Sequence, residues 1–511
     1  MIQASCILPN ETVFAMNLSR ENDLPTALYT AAAVREMDRY AIEDLGIPGL
    51  ALMQRAGAAS FQILRELWPG VTTVSVLAGA GNNGADGYVL ALLAQEAGLD
   101  VKVYPATPIA SLKGDAQTAA LQYQAAGGAL ADFIPDQFEG AEVLVDALLG
   151  TGLNRPVEGF YADLIRATHR YRGKILSLDI PSGLNADSGC VMGDAVRADA
   201  TVCFLGLKKG LFTAEGLEYS GQVFYSDLNV LLPPQQRHAV SARLLPPLRQ
   251  GLPRRFRHAH KGHFGHVLVI GGAEGYSGAA RLAAEAAARV GAGLVSIATH
   301  PQHAAWLNQG CPELMCHGIK NAEALEPLLH HATVLVLGPG LRLSDWAYSL
   351  WELALKSKLP VILDADGLNF LAGHSGSRDN WILTPHPGEA ARLLGMTTAD
   401  IQQNRYAAIQ ALRQRYGGVI VLKGSGSLIL GTDDAIPSVC TAGNPGMASG
   451  GMGDVLSGVI AALVAQDLSL PDAATLGVRL HAAAGDTAAR EGERGLLASD
   501  LLKPLRHWVN A

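Results

Sequence analysis

The chain has 511 residues, of which 49% are hydrophobic and only 17% charged, which excludes a disordered chain and allows more than one core. Its net charge of −8 leaves no broad basic face for nucleic acid, and the absence of any run of about 20 uncharged apolar residues predicts no membrane span. The six cysteines (6, 190, 203, 311, 316 and 440) contain no Cys-x-x-Cys pair. Free thiols in a reducing cytoplasm are therefore expected, with Cys311, Cys316 and His317 a minor candidate for a metal site. The opening stretch holds Glu11, Arg20, Glu21 and Asp23 without the apolar core of a secretory signal.

In chain order, Thr30 to Leu67 reads as mostly helical, with Thr30 as N-cap and a break at Gly46-Ile47-Pro48-Gly49. Strands are predicted at Val74–Leu77, Val101–Tyr104, Val143–Val145, Ile175–Leu178, Thr201–Phe204 and Val223–Tyr225, with helices such as Tyr88–Ala97 between them. From Leu231 to Lys261 the chain carries five prolines and the cluster Arg254, Arg255, Arg257, His258, His260. That composition marks a boundary, and the cluster reads as a solvated face. The pattern then resumes with strand Val267–Ile270, helix Ser277–Val290 and strands Leu294–Ala298, Val334–Leu337, Val361–Leu363, Trp381–Leu383 and Val419–Leu422. Alternation of this kind predicts two α/β domains, at 1–235 and 236–511, each with a mostly parallel sheet.

The most informative stretch runs from Gly443 to Gly458, GNPGMASGGMGDVLSG. Five glycines precede Asp454, and an apolar helix, Val455 to Ala465, follows at once. Bare amides and a helix N-terminus aimed at one point form an anion site, and Asp454 could act as base on an alcohol undergoing phosphoryl transfer. The plainer alternative is a tightly packed helix start with Asp454 as a dipole partner.

In the first half, Gly79, Gly81 and Gly84 satisfy Gly-x-Gly-x-x-Gly. However, the next strand ends Tyr104-Pro105-Ala106-Thr107, without the acid that a dinucleotide fingerprint places there. An ordinary hydride-transfer domain is thus disfavoured. Polar clusters stand after three strands: Asn82-Asn83 with Asp86, Asp146 with the loop that follows it, and Asp179 with Ser182. Each alone suits an Asx turn or helix cap equally well. Together, at the strand ends of one parallel sheet, they suggest a site. Asn83, Asp146 and Ser182 could serve as oxygen ligands for a cation, with Asp179 as a catalytic carboxylate.

GNNGADG, DALLGTGLNRP, DIPSGLNADSG and the helical opening YTAAAVREMDRYAIEDLGIPGLALMQRAG resemble the epimerase domain of the NAD(P)H-hydrate repair enzymes. The resemblance implies a Rossmann-like α/β/α sandwich. In it, Asn82, Asn83, Gly84, Ala85, Asp86, Gly150, Thr151, Gly152, Leu153, Asn154, Arg155, Pro156 and Tyr161 hold the damaged nucleotide. It also implies potassium at Asn83, Asp146 and Ser182, and Asp179 as the acid/base. Ala85 replaces a usual glycine.

HKGHFGHVLVIGGAEGYSGAARLAAEAAARVGAGLV, LGPGL, DADGLN, LTPHPGEAARLLG, VLKGSGSLI and GNPGMASGGMGDVLSG resemble the partner dehydratase, a ribokinase-like α/β domain. That resemblance assigns Lys423, Gly424, Ser425, Gly426, Ser427 and Gly453 to the phosphate donor. It assigns Ala279, Gly340, His386 and Asp454 to the hydrate. Taken from the residues alone, His386 between two prolines reads as a turn histidine. Two departures stand out: Leu341-Arg342 follows LGPG where a further glycine is usual, and Ser427 replaces a common threonine.

The function implied is repair of hydrated NAD(P)H. Phosphorylating the ring hydroxyl makes it a good leaving group, and elimination restores the reduced nucleotide. An epimerase feeds the stereospecific site. ADP with Mg2+ is the expected donor, NAD(P)H hydrate and ADP the small-molecule partners, and a cytoplasmic homo-oligomer the expected state. The competing reading is a ribokinase-like vitamin or sugar kinase fused to a non-catalytic binding module.

Overall fold

The computed structural model describes residues 18–20, 23–132, 138, 140–233 and 240–511. The chain divides into two compact units, Met1–Ala242 and Arg243–Ala511. The boundary expected after residue 235 lies outside the described residues.

In the first unit, strand Thr73–Ala78 pairs in parallel with Asp100–Pro105 on one side and Val143–Ala147 on the other. Lys174–Leu178, Ala200–Phe204 and Gln222–Ser226 extend the sheet in parallel beyond Val143–Ala147. Leu18–Ser19 closes that edge antiparallel, and Ala129–Leu130 closes the other. The central strands are buried on both faces because helices cover both sides, as the run Val143–Ala147 illustrates. The chain leaves Thr73–Ala78 toward one edge and later returns to its other side. The crevice between Thr73–Ala78 and Val143–Ala147, at the carboxyl ends of the strands, is thus the topological switch point where ligands bind in such sheets.

The opening helices form as expected. Ala31–Glu43 is capped by Thr30 Oγ1 accepting from Ala33 N, and Gly49–Leu67 starts after the break at Gly46. The next helix begins at Asn82 rather than Tyr88. Its first residues, Asn-Asn-Gly, are poor helix formers, which hid the helix from periodicity. The glycines admit close packing: a Cβ on Gly84 would stand 2.0 Å from Gly79 O, and one on Gly87 2.6 Å from Ala147 Cβ.

The second unit repeats the plan. The parallel order is Met315–Gly318, Leu294–Thr299, His266–Ile270, Val334–Leu337, Val361–Leu363, Trp381–Leu383, Val419–Leu422. Ser427–Leu430 and Ser438–Cys440 follow antiparallel. Its switch point lies between His266–Ile270 and Val334–Leu337. Helix Met452–Ala465 is buried along nearly its whole length and packs on helix Ser277–Val290. A Cβ on Gly458 would lie 1.9 Å from Ala283 O, so only glycine permits that approach.

In the boundary segment, Arg254, Arg257 and His258 are exposed, as the solvated-face reading expects. Arg255 is engaged: its guanidinium lies 3.5 Å from the Phe264 ring centroid and donates to Gln466 Oε1 at 2.7 Å. Cys203, Cys311, Cys316 and Cys440 are free thiols, whereas Cys6 lies outside the described residues. Cys316 and His317 sit on strand Met315–Gly318. Among the described residues no cluster of three or more His, Cys, Asp or Glu could hold a metal, and no helix is long and apolar enough to cross a membrane.

Candidate active sites

The first site gathers at the switch point of the first unit. Asp146 ends its strand fully buried and accepts from Ser177 Oγ and Ser182 N, each at 2.8 Å, from Ser182 Oγ at 2.5 Å and from Leu148 N at 3.3 Å. Ser182 Oγ in turn accepts from Leu149 N at 2.8 Å. Asp146 and Ser182 therefore meet as the sequence suggested. Burial pushes the Asp146 carboxyl up, against the pull of the Ser182 hydrogen bonds. No cationic side chain pairs with it among the described residues. Asn83 is buried with both its amide oxygen and its amide nitrogen unpartnered. An orphaned amide oxygen and a buried carboxylate without a cationic partner, at the same edge of one sheet, suit an oxygen-coordinated cation.

Gly150 joins this group, since a Cβ there would lie 3.5 Å from Asn83 Cβ and 3.6 Å from Asp179 Oδ2. Asp179 follows strand Lys174–Leu178 at φ 66, a left-handed backbone in a non-glycine residue and thus a strained one. Its carboxylate pairs with Lys208 Nζ, whose side chain is wholly buried. Lys208 also donates to Phe204 O at 3.0 Å and Cys203 Sγ at 3.3 Å. Burial works against the ammonium, but Asp179 outweighs it, and the lysine stays charged. Two more carboxyls face the pair. Asp86 is raised well above its usual range by burial and then by Asp179, and Asp38 is pushed up to about 6 by the same two causes. The sequence reading missed Lys208 and Asp38.

The loop after Gly150 borders a separate stretch of the crevice. Thr151, Gly152, Leu153 and Asn154 line a cavity of 420 Å³ together with Arg35 and Asp187. Arg35 Nη1 donates to Thr151 O at 3.0 Å, and Asp187 Oδ1 accepts from Ala31 N at 2.7 Å, capping the first helix. Tyr161 reaches the glycine turn, its hydroxyl accepting from Ala80 N at 3.3 Å. Arg155 and Pro156 are exposed and lie outside the cavity lining.

The second site forms where helix Met452–Ala465 begins. Gly451 caps it at φ 92, and the first helical bond runs from Val455 N to Gly451 O. The amides of Met452, Gly453 and Asp454 thus have no acceptor within the helix. Upstream, Asp486 accepts from Gly443 N at 3.0 Å and Asn444 Nδ2 at 2.9 Å, which fixes the turn.

Beneath the helix start lies a network the sequence reading did not assign. Asp364, buried at the end of strand Val361–Leu363, accepts from Lys423 Nζ at 2.7 Å, Thr384 Oγ1 at 2.9 Å and Ser457 Oγ at 2.9 Å. Glu389 lies 3.8 Å from Lys423 Nζ. A Cβ on Gly453 would stand 3.1 Å from Lys423 Nζ, so lysine, helix terminus and Asp454 share one place. Burial raises the Asp454 carboxyl to about 7, with Asp364 adding to the rise and Lys423 opposing it.

The loop after Lys423 is built on Arg405, wholly buried, whose guanidinium donates at 3.3 Å to the carbonyls of Leu422, Lys423 and Gly426. Gly424 and Gly426 adopt φ 138 and 66, and Ser427 Oγ donates to Gly424 O at 3.1 Å. His386 caps helix Pro387–Leu394, with Nδ1 accepting from Gly388 N at 3.0 Å and Glu389 Oε2 accepting from His386 N at 2.7 Å. Burial lowers its pKa, and Lys423 adds to the drop, so the imidazole is neutral at pH 7. Ala279 and Gly340 adjoin each other at the switch point, a Gly340 Cβ falling 3.1 Å from Ala279 Cβ.

Two α/β units, each with a polar site at the carboxyl ends of its parallel strands, one carrying an ion-paired aspartate and the other an aspartate at a glycine-rich helix start, define a two-site enzyme. The NAD(P)H-hydrate dehydratase family matches residues 267–507, and the YjeF-related protein N-terminus matches residues 49–210. The bifunctional NAD(P)H-hydrate repair enzyme Nnr of Coxiella burnetii is 50% identical over 95% of this chain and 100% of its own length. That of Escherichia coli is 40% identical over 95% of each. The chain belongs to the bifunctional NAD(P)H-hydrate repair enzymes. A solved structure, the ADP/ATP-dependent NAD(P)H-hydrate dehydratase from Bacillus subtilis co-crystallized with ATP/Mg2+, is similar at 28% identity and a TM-score of 0.45, covering 50% of this chain and 93% of that one.

Proposed function

We propose that this chain interconverts the R and S hydrates of NAD(P)H in its first domain (1–235) and dehydrates the S epimer in its second (236–511). The donor is ADP, giving AMP and phosphate. The observation that carries the reading is Asp454. It is a carboxylate held near pH 7 at a helix N-terminus, where it can take a proton at neutral pH while the amides stabilise phosphoryl charge.

Asp454 accepts the proton of the substrate hydroxyl, whose oxygen attacks the terminal phosphorus of the donor and displaces AMP. The ring nitrogen lone pair then expels the new phosphate with the C–O electrons. Loss of a proton from the adjacent carbon restores the double bond of NAD(P)H. Lys423 and the loop Gly424, Ser425, Gly426, Ser427 hold the donor with Gly453, and Ala279, Gly340 and His386 line the hydrate side. Mg2+ bound to the donor phosphates would neutralise part of their charge beside Lys423 and the helix start.

In the first domain, Asn83, Asp146 and Ser182 hold potassium, and Asp179 protonates the departing hydroxide and takes the proton back on its return. Asn82, Gly84, Ala85, Asp86, the loop 150–156 and Tyr161 bind the nucleotide. The enzyme is a cytoplasmic homo-oligomer. The deciding experiment supplies pure S or R hydrate of NADH with ADP, ATP or neither, and follows absorbance of the reduced nicotinamide. Nucleotide-dependent recovery of both epimers supports the reading and names the donor. A phosphorylated product without NADH would favour the small-molecule kinase instead.

A further inference from the structure

At the switch point of the second unit, the loops after His266–Ile270 and Val334–Leu337 are zipped together. Gly272 N donates to Pro339 O at 3.0 Å and Ala273 N to Gly340 O at 2.7 Å. Beyond the zip, Tyr276 of the first loop and Arg342 of the second are both exposed. The guanidinium carbon of Arg342 lies 4.6 Å from the Tyr276 ring centroid, within cation–π range. The backbone of Arg342 is left-handed, at φ 59, and its N–H donates to Asp366 Oδ2 at 2.7 Å. Glycine meets that conformation without strain, so the backbone by itself gives no reason for an arginine there. No carboxylate pairs with the guanidinium among the described residues. The guanidinium is therefore exposed and positioned by the ring. The stack adjoins Gly340 and Ala279, the residues assigned to the hydrate, because a Cβ on Gly340 would lie 2.5 Å from Tyr276 O and 3.1 Å from Ala279 Cβ.

We propose that Arg342, held over the Tyr276 ring, is a specificity-determining residue of the second site that grips a phosphate of the dinucleotide substrate. This rests on the dehydratase reading of that site. The planar guanidinium pairs with phosphate oxygens through two parallel N–H donors, a geometry a lysine cannot copy. The hydrates of both nucleotides carry a pyrophosphate, and the NADPH hydrate adds a 2′-phosphate.

The test measures KM and kcat of the full chain for S-NADH hydrate and S-NADPH hydrate at low and high salt, in the wild type, Arg342→Gly and Arg342→Lys. Arg342→Gly is expected to raise KM about tenfold with kcat changed less than twofold and to flatten the salt dependence of KM. Arg342→Lys is expected to recover part of the loss. Because glycine suits the backbone, the Gly variant is expected to melt no lower than the wild type, which separates a binding loss from misfolding. A KM rise for both hydrates assigns the pyrophosphate, and a rise confined to NADPH hydrate assigns the 2′-phosphate. An unchanged KM for both, with the wild type active, overturns the inference alone. A wild type inactive on both hydrates with ADP and with ATP overturns the dehydratase reading and this inference together.

Discussion

The Lys423 ammonium stands 2.7 Å from the Asp364 carboxylate, and only 2% of that aspartate side chain is exposed. The cation facing the helix start is thus anchored by a buried anion beneath it. Burial opposes the charge on Lys423, but Asp364 and Glu389 outweigh it. Breaking such a pair from one side leaves a buried charge without its partner, at a cost of about 3–5 kcal/mol. Asp364→Asn is expected to lower stability by that order in urea unfolding. Asp364 also adds to the rise of the Asp454 carboxyl, so the same variant should move the acid limb of the dehydration pH profile below 7. An unmoved limb would show that the two carboxylates are not coupled.

Asp454→Asn removes the proposed base. Dehydration is expected to fall by about 10²–10⁴ with epimerisation intact. Equal loss of both activities would sink the two-site scheme. Stability carries a second signature. The folded pKa of about 7 lies above the ordinary 3.8, so between these values the native state holds the extra proton, and stability falls as pH rises through about 7. The asparagine variant should therefore gain more in Tm over the wild type at pH 8 than at pH 5.

The strands were legible because each is a short apolar run buried on both faces. Val334–Leu337, Val361–Leu363, Trp381–Leu383 and Val419–Leu422 keep the bounds read from the sequence. Helices that open at ligand loops were read short. Asn82–Glu96 opens Asn-Asn-Gly and Met452–Ala465 opens Met-Gly-Asp, first turns in which Asn, Gly and Asp serve bare amides and close approach over propensity. Asp364 had a visible signal, a carboxylate ending a parallel strand like Asp146 and Asp179, but it stood inside a motif quoted only as a resemblance. Lys208, Arg405 and Asp38 had none. A buried cation is recognised by what packs around it, and sequence spacing does not carry that information.

Cation dependence should divide the two activities. Asn83 and Asp146 leave an orphaned amide oxygen and a buried carboxylate without a cationic partner in the first unit. Replacing potassium with tetramethylammonium, which is too large and has no affinity for oxygen donors, is expected to weaken epimerisation more than dehydration of pure S hydrate. Equal sensitivity of the two rates would refute a cation at Asn83, Asp146 and Ser182.

Asp179 and Lys208 supply the sharpest test of the first site. The lysine is the cation facing three carboxyls, since Asp38 and Asp86 both feel Asp179 and both are relieved by Lys208. Asp179→Asn should leave turnover of S hydrate unchanged while R hydrate drains only at the spontaneous epimerisation rate. Lys208→Met keeps the side-chain length and removes the charge, which leaves Asp179 beside two acidic neighbours without compensation. Epimerisation should fall by at least about tenfold, and Lys208→Arg should recover part of it if charge is what Asp179 needs. A coupled assay in which Lys208→Met consumes R hydrate as fast as the wild type would show that the buried lysine serves packing alone. Loss of S-hydrate turnover in the same protein would instead mark a general failure to fold.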